Sequence, residues 1–208
     1  KNVLVTDKKE SILRQISMKL KSDIIDHNNF IGGRYSVLSE VGMLPAELMG
    51  FNPKKFRRLN SLIKSKQFVN FLIKDVSDIL NLNKSNIANS IILNYDDRSQ
   101  DLFFWYQQLV AESLGKKNKG ILPVVSNMPR DNHSLMQYYL DGPKKNFYTL
   151  FFVKEKDAKK IDNKNILGSY SHLKNKDLNE ISFAQFRATE NVFKKKNIPF
   201  RSLIIEKK

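Results

Sequence analysis

Three stretches of the chain carry side chains suited to proton chemistry on a polar ligand. In "QQLVAESLG" (107–115), Gln108 and Glu112 stand four residues apart. On a helix that spacing stacks both on one face, one turn beyond Phe104 and Trp105. Aromatic neighbours can desolvate a carboxylate and suit it to act as a general base. The competing reading is a solvated glutamate near a helix end. In "PRDNHS" (129–134), His133 falls in the first turn of a short helical pattern. A helix N-terminus disfavours imidazolium, so a neutral ring could accept a proton, although Asp131 pulls the other way. The competing reading is a surface or capping histidine.

The third stretch is "IGGRYSVLS" (31–39), with Gly32 and Gly33 directly before Arg34. Glycine admits positive φ and lets a ligand approach the backbone. A guanidinium offers two directed hydrogen bonds to an oxyanion or a phosphate. A tight turn with a solvated arginine fits the same letters. His27 and His172 sit in polar, loop-like contexts and read as solvated. No histidine pair has ligand spacing and the chain has no cysteine, so no metal, thiolate or disulfide is expected.

The elements that must position these residues follow from periodicity. "VLVTD" (3–7) reads as a buried strand, residues 9–21 as a helix with Ile12, Leu13, Ile16, Met18 and Leu20 apolar, and "DIIDH" (23–27) as a second strand. Pro45 is expected to open a helix. Residues 66–82 form an amphipathic pattern through Val69, Leu72, Ile73, Val76, Ile79 and Leu80. The polar residues 81–85 suggest a boundary. Beyond it come "SIILNY" (90–95), a helix from an N-cap at Ser99 to Leu114 stopped by Gly115, and "GILPVVS" (120–126). In that helix Leu102, Phe103, Tyr106, Leu109 and Val110 form the core-facing stripe. A short helix over 131–140, "NFYTLFFV" (146–153), a long helix over 177–196 and "FRSLIIE" (200–206) complete the pattern. Strand–helix alternation predicts an α/β layered fold with a mostly parallel sheet flanked by helices. Ligands in such sheets sit outside the carboxyl ends of the strands.

Composition sets the outer limits. The 208 residues suffice for one large domain or two small ones, and 41% hydrophobic with 27% charged residues excludes a disordered chain. No apolar run approaches the roughly 20 residues needed to span a bilayer, and no signal peptide is evident. A cytoplasmic location is expected. The missing initiator methionine suggests a processed or excised chain. Lys and Arg total 36 against 21 Asp and Glu, a net charge of +15. The excess lies in the lysine runs "KKNK" (116–119), "KEKDAKK" (154–160) and "FKKKN" (193–197), which read as solvated loops and helix ends. Aromatics do not interleave with them as single-strand nucleic-acid binding requires.

Taken together, "IGGRYSVLSEVGMLPAEL" (31–48), "WYQQLVAESLGKKNKG" (105–120) and "PRDNHSLMQYYLDGP" (129–143) resemble three separated segments of the bacterial glucose-6-phosphate isomerase family, in the family's order. The likeness covers most of the chain through about Val153 and weakens beyond it. It implies sugar-isomerase (SIS-type) domains: residues 1–85 as the back part of a first one with connecting helices, and 86–208 as most of a second. It implies interconversion of glucose 6-phosphate and fructose 6-phosphate through a cis-enediol, with no cofactor and no metal. Glu112 matches the catalytic base. Arg34 matches the arginine that stabilises the enediolate, and His133 the ring-opening histidine supplied across a homodimer interface. Gln108 matches a substrate-facing glutamine near the phosphate end, and Gly32 and Gly33 the backbone that the sugar approaches. The family's serine- and threonine-rich phosphate loop and its C-terminal lysine helix have no counterpart here, so the piece alone is expected to bind phosphate poorly. A non-catalytic sugar-phosphate-binding module is the alternative on the same fold. A nucleic-acid-binding protein is a more distant one; neither nucleic acid nor membrane is expected as a partner.

Overall fold

The computed structural model describes residues 2–155 and 159–206. The chain divides into two units, Lys1–Ser77 and Asp78–Lys208. In the first, β1 (Val3–Asp7), α1 (Ile12–Leu20) and β2 (Asp23–His27) form a parallel two-stranded sheet with Val3 opposite Asp23 and Asp7 opposite His27. Ser11 caps α1 by accepting from the Arg14 N–H. The helix ends at Lys21, whose left-handed backbone (φ 48°) sends its N–H back to the carbonyls of Ser17 and Met18. A 3₁₀ helix (Gly33–Leu38), α2 (Glu40–Leu48), α3 (Pro53–Arg57), a second 3₁₀ segment (Arg58–Lys64) and α4 (Lys66–Lys84) follow.

Several expectations are corrected between β1 and the end of α4. Pro45 lies inside α2 and does not open it. The Ser39 hydroxyl accepts from the Val41 N–H and starts the helix five residues earlier. The polar residues 81–84 continue α4 to Lys84, and the division between units falls within that helix. β1 is a strand, but only Thr6 in it is buried, because a two-stranded sheet gives each strand one neighbour. Ile12 and Met18 of α1 are exposed, as are Ile73, Val76 and Leu80 of α4.

The second unit contains β3 (Asn89–Asn94), α5 (Gln100–Leu114), β4 (Leu122–Asn127), α6 (Asp131–Ser134), α7 (Met136–Asp141), β5 (Asn146–Lys154), α8 (Leu178–Lys195) and β6 (Phe200–Glu206). Its sheet is parallel throughout in the order β4-β3-β5-β6. Both faces are covered, which explains the near-continuous apolar runs of β3 and β5. On one face Ile91, Leu93, Tyr148, Leu150 and Phe152 pack with Tyr139 of α7 and with Phe186 and Phe193 of α8. On the other, Ile92 and Phe151 meet Phe103 of α5. Tyr148 and Phe193 meet edge to face, with centroids 4.8 Å apart. The expected helix over 131–140 is broken at Leu135 into α6 and α7. Of the lysine run 154–160, residues 156–158 lie outside the described residues.

α8 opens on a capping box: the Asp177 carboxylate accepts from the Glu180 N–H, and the Glu180 carboxylate from the Asp177 N–H. Asp177→Ala is expected to cost about 1 kcal/mol. Phe186→Ala, which empties a fully buried ring position, is expected to cost about 3–5 kcal/mol. Denaturant unfolding measures both, and equal midpoints for the two variants would contradict this ranking.

Candidate active site

The turn between β2 and α2 carries Gly32, Gly33 and Arg34. Its shape comes from hydrogen bonds. The Ile31 N–H donates to the Asn28 carbonyl, the Tyr35 N–H to the Gly32 carbonyl, the buried Ser36 hydroxyl to the Gly33 carbonyl, and the Ser39 hydroxyl to the Ser36 carbonyl. Neither glycine uses the positive φ open to it: Gly32 sits at φ −67° and Gly33 begins the 3₁₀ helix. A Cβ on Gly33 would have no atom within 4 Å, and one on Gly32 would touch only a Tyr35 ring carbon at 3.8 Å. Gly42 contrasts with them, since a Cβ there would lie 2.0 Å from the Val37 carbonyl oxygen. The fold therefore requires glycine at 42, whereas at 32 and 33 the missing side chains leave open space. The half-buried Arg34 holds its guanidinium 4.9 Å from the centre of the Tyr35 ring.

His27 is not solvated as expected. Its Nδ1 meets a Glu40 carboxylate oxygen and its Nε2 lies 3.0 Å from the Ile31 carbonyl oxygen. It thus ties the end of β2 both to the start of α2 and to the residue preceding Gly32.

In the second unit, α5 brings Gln108 and Glu112 together: the Gln108 amide donates to the Glu112 carboxylate at 3.3 Å. Both are exposed, as the reading of a solvated glutamate near a helix end has it. Leu102 is exposed as well, and the face turned to the sheet holds Phe103, Tyr106 and Gln107. The Gln107 amide donates to the Pro123 carbonyl at 2.8 Å, which pins this part of α5 beside the first residues of β4. Ser99 stands at the N-cap position, but its hydroxyl donates to Asp96.

His133 is exposed on the one-turn helix α6, just past the other end of β4. Asp131 fixes that helix. Its buried carboxylate accepts from the Asn127 N–H at 2.8 Å, the Ser126 hydroxyl at 3.2 Å and the Arg130 guanidinium at 2.9 Å. Burial works to raise this carboxyl, but Arg130, the Asn127 N–H and Ser126 outweigh it and hold it below its ordinary 3.8. Spacing alone did not reveal this anchoring role.

Glu112 and His133 therefore belong to opposite edges of the sheet. Glu112 follows Gln107 toward the edge where β4 begins, and His133 follows the edge where β4 ends. Six strand residues separate these edges, roughly 16 Å. Arg34 belongs to the first unit. One copy of the chain thus joins Gln108 with Glu112 but keeps His133 away from them. Among the described residues no group of His, Asp and Glu could hold a metal ion, and no helix is long and apolar enough to cross a membrane.

The profile of the phosphoglucose isomerase family matches residues 17–126. A glucose-6-phosphate isomerase from Mycoplasmopsis pulmonis is 33% identical over 76% of this chain and 39% of its own length. The enzyme of the same name from Campylobacter jejuni is 31% identical over 99% of this chain and 52% of its own. The chain thus spans about half, or less, of these relatives. A hypothetical protein from Thermus thermophilus superposes with a TM-score of 0.83 at 25% identity, over 97% of this chain and 51% of that one. A glucose-6-phosphate isomerase from Chlamydia trachomatis shares the fold, with a TM-score of 0.62 at 16% identity over 98% and 43% of the two chains.

Gly33→Ala is expected to leave stability within about 0.5 kcal/mol of the parent, whereas Gly42→Ala must move backbone and lowers the melting temperature. Comparable losses in both would show that the turn itself needs Gly33. Asp131 has its carboxyl depressed, so its contribution is present above 3.8 and is lost as pH falls through the lower folded value. In Asp131→Asn this acid-side fall in stability is expected to shrink, as read by chemical denaturation from acid to mildly acid pH.

Proposed function

The chain belongs to the phosphoglucose isomerase family, and from that premise we propose that it supplies catalytic groups for the interconversion of glucose 6-phosphate and fructose 6-phosphate. The observation that carries this reading is the exposed Gln108–Glu112 pair, set on a helix whose inner face is fixed to the sheet. Glu112 acts as the base. Its carboxylate takes the proton from C2 of the open aldose, and the C–H electron pair becomes the C1–C2 double bond of a cis-enediol. The carbonyl oxygen at C1 gains a proton as it becomes a hydroxyl. Return of the proton to C1, as the C2 hydroxyl gives up its proton and becomes the carbonyl, gives the ketose. No oxidant or metal is needed to balance these steps.

Carbon next to a carbonyl is weakly acidic, so the base needs a cation where charge develops on oxygen. Arg34 supplies it, with the planar fork suited to two neighbouring enediolate oxygens. The open space at Gly32 and Gly33 lets the sugar lie against the turn. Gln108 faces the substrate and orients Glu112. His133 opens the sugar ring. Because it lies at the far edge of the sheet from Glu112, it serves the site of a second copy, which supports a homodimer with shared sites. The two units correspond to the back of one sugar-isomerase domain and most of a second. As an enzyme of central carbohydrate metabolism, the protein acts in the cytoplasm.

In the protein as its gene encodes it, Glu112→Gln is expected to reduce kcat by about 10²–10⁴ while calorimetry still detects sugar-phosphate binding. Near-parental turnover would remove Glu112 from the role of base. Glu112→Gln and His133→Ala chains, each inactive alone, are expected to regain about a quarter of the parental activity when dissociated and reassembled together, because a mixed dimer keeps one intact site. No recovery would place both residues in the site of one chain.

A further inference from the structure

His27 has a geometry that constrains its protonation. Its Nε2 points at the Ile31 carbonyl and its Nδ1 at the Glu40 carboxylate. A carbonyl oxygen and an ionised carboxylate can only accept hydrogen bonds. Both ring nitrogens must then donate, and a ring with a proton on each nitrogen is an imidazolium. The two bonds lead to opposite ends of the turn: Ile31 immediately precedes Gly32, and Glu40 is the first residue of α2. We propose that His27, as an imidazolium bridging Glu40 and the Ile31 carbonyl, is the positioning residue that fixes the turn presenting Arg34. That last clause rests on the role given to Arg34 above; the bridge itself does not.

The charged groups around the ring favour this state. Glu40 faces it from α2 and Asp7 from the end of β1. Asp26, the neighbouring residue on β2, is engaged by Arg14 of α1 and approached by Lys8 at 4.0 Å. Arg14 also donates to the Asp7 carbonyl. The bond to Glu40 and then that to Ile31 raise the His27 ring above its ordinary 6.5. Glu40's own backbone N–H, followed by His27, lowers the Glu40 carboxyl below its ordinary 4.5. The signs define a window. The His27 contribution is complete below 6.5 and is lost as pH rises through the raised folded value. The Glu40 contribution is present above 4.5 and is lost as pH falls through its lowered value. The side chains of His27 and Glu40 are 16% and 30% exposed, so solvent can exchange protons with the pair.

The test uses ¹⁵N spectra of the histidine rings, together with amide exchange over residues 31–36 corrected for intrinsic rates. At neutral pH both His27 nitrogens are expected to be protonated, and Glu40→Gln moves the His27 titration to lower pH. Exchange in the turn accelerates as pH rises through that titration. In His27→Gln it is faster on the order of tenfold and no longer follows a histidine titration. A His27 ring singly protonated at neutral pH, or exchange unchanged in both variants, overturns the bridge. In the activity profile, the alkaline fall in kcat moves to lower pH in Glu40→Gln. An unmoved profile beside a released turn overturns the positioning role, while the isomerase reading is decided separately by Glu112→Gln.

Discussion

A parallel strand must be entered from the same edge as its neighbours, and the arrangement of candidate groups in the second unit follows from that rule. After β3 the chain has to travel back along the sheet before β4 can begin, and α5 is that return path. Residues late in α5 therefore reach the edge where strands start, and residues just after β4 reach the edge where strands end. Glu112 and His133 are separated by this polarity, not by any local choice of side chain. The same geometry allows a chain that keeps the two apart to use both, provided that each serves a different copy.

The two units maintain their shape by different means. In the second, two-sided burial of β3 and β5 supplies the cohesion, with rings from α7 and α8 on one face and Phe103 on the other. In the first, each strand has one neighbour and many apolar side chains remain exposed, so directional polar contacts carry more of the organisation. Arg14 joins α1 to Asp26 and to the Asp7 carbonyl, the Ser17 hydroxyl donates to the Ser22 carbonyl, and His27 joins β2 to α2. Hydrogen bonds of this sort set geometry more than they add stability.

The sequence was readable where periodicity reports burial directly. The six strands were found because β-branched and aromatic runs mark them, and the parallel layered sheet followed from their alternation with helices. Gln108 and Glu112 were paired correctly because i, i+4 spacing on a helix is itself a contact. Periodicity identifies a helix without identifying its cover, so the apolar stripes of α1 and α4 mark helices although much of each stripe is exposed. Pro45 misled because an N-cap serine earlier in the chain already satisfies the start of α2. The His27–Glu40 bridge, spanning thirteen residues, and the Asp131 anchor on β4 were invisible for a shared reason. Each depends on where a strand ends relative to the next helix, and spacing along the chain does not encode that.

The Gly32–Gly33–Arg34 turn separates the two properties glycine can lend a motif, left-handed backbone and absent volume. Left-handed backbone is open to both glycines, yet neither adopts it. Serine hydroxyls, backbone bonds and the His27 bridge already define the turn, so glycine conformation is not what holds it. What glycine contributes is an absence of volume at two adjacent positions where, among the described residues, only a Tyr35 ring carbon comes near. Beside them stands an arginine already stacked on Tyr35. A turn held by these hydrogen bonds, with little volume at its glycines and a guanidinium stacked on Tyr35 beside them, has the form that the proposed ligand contact requires. This makes the fixed hydrogen-bond frame, and His27 within it, as much a part of Arg34's proposed role as the guanidinium.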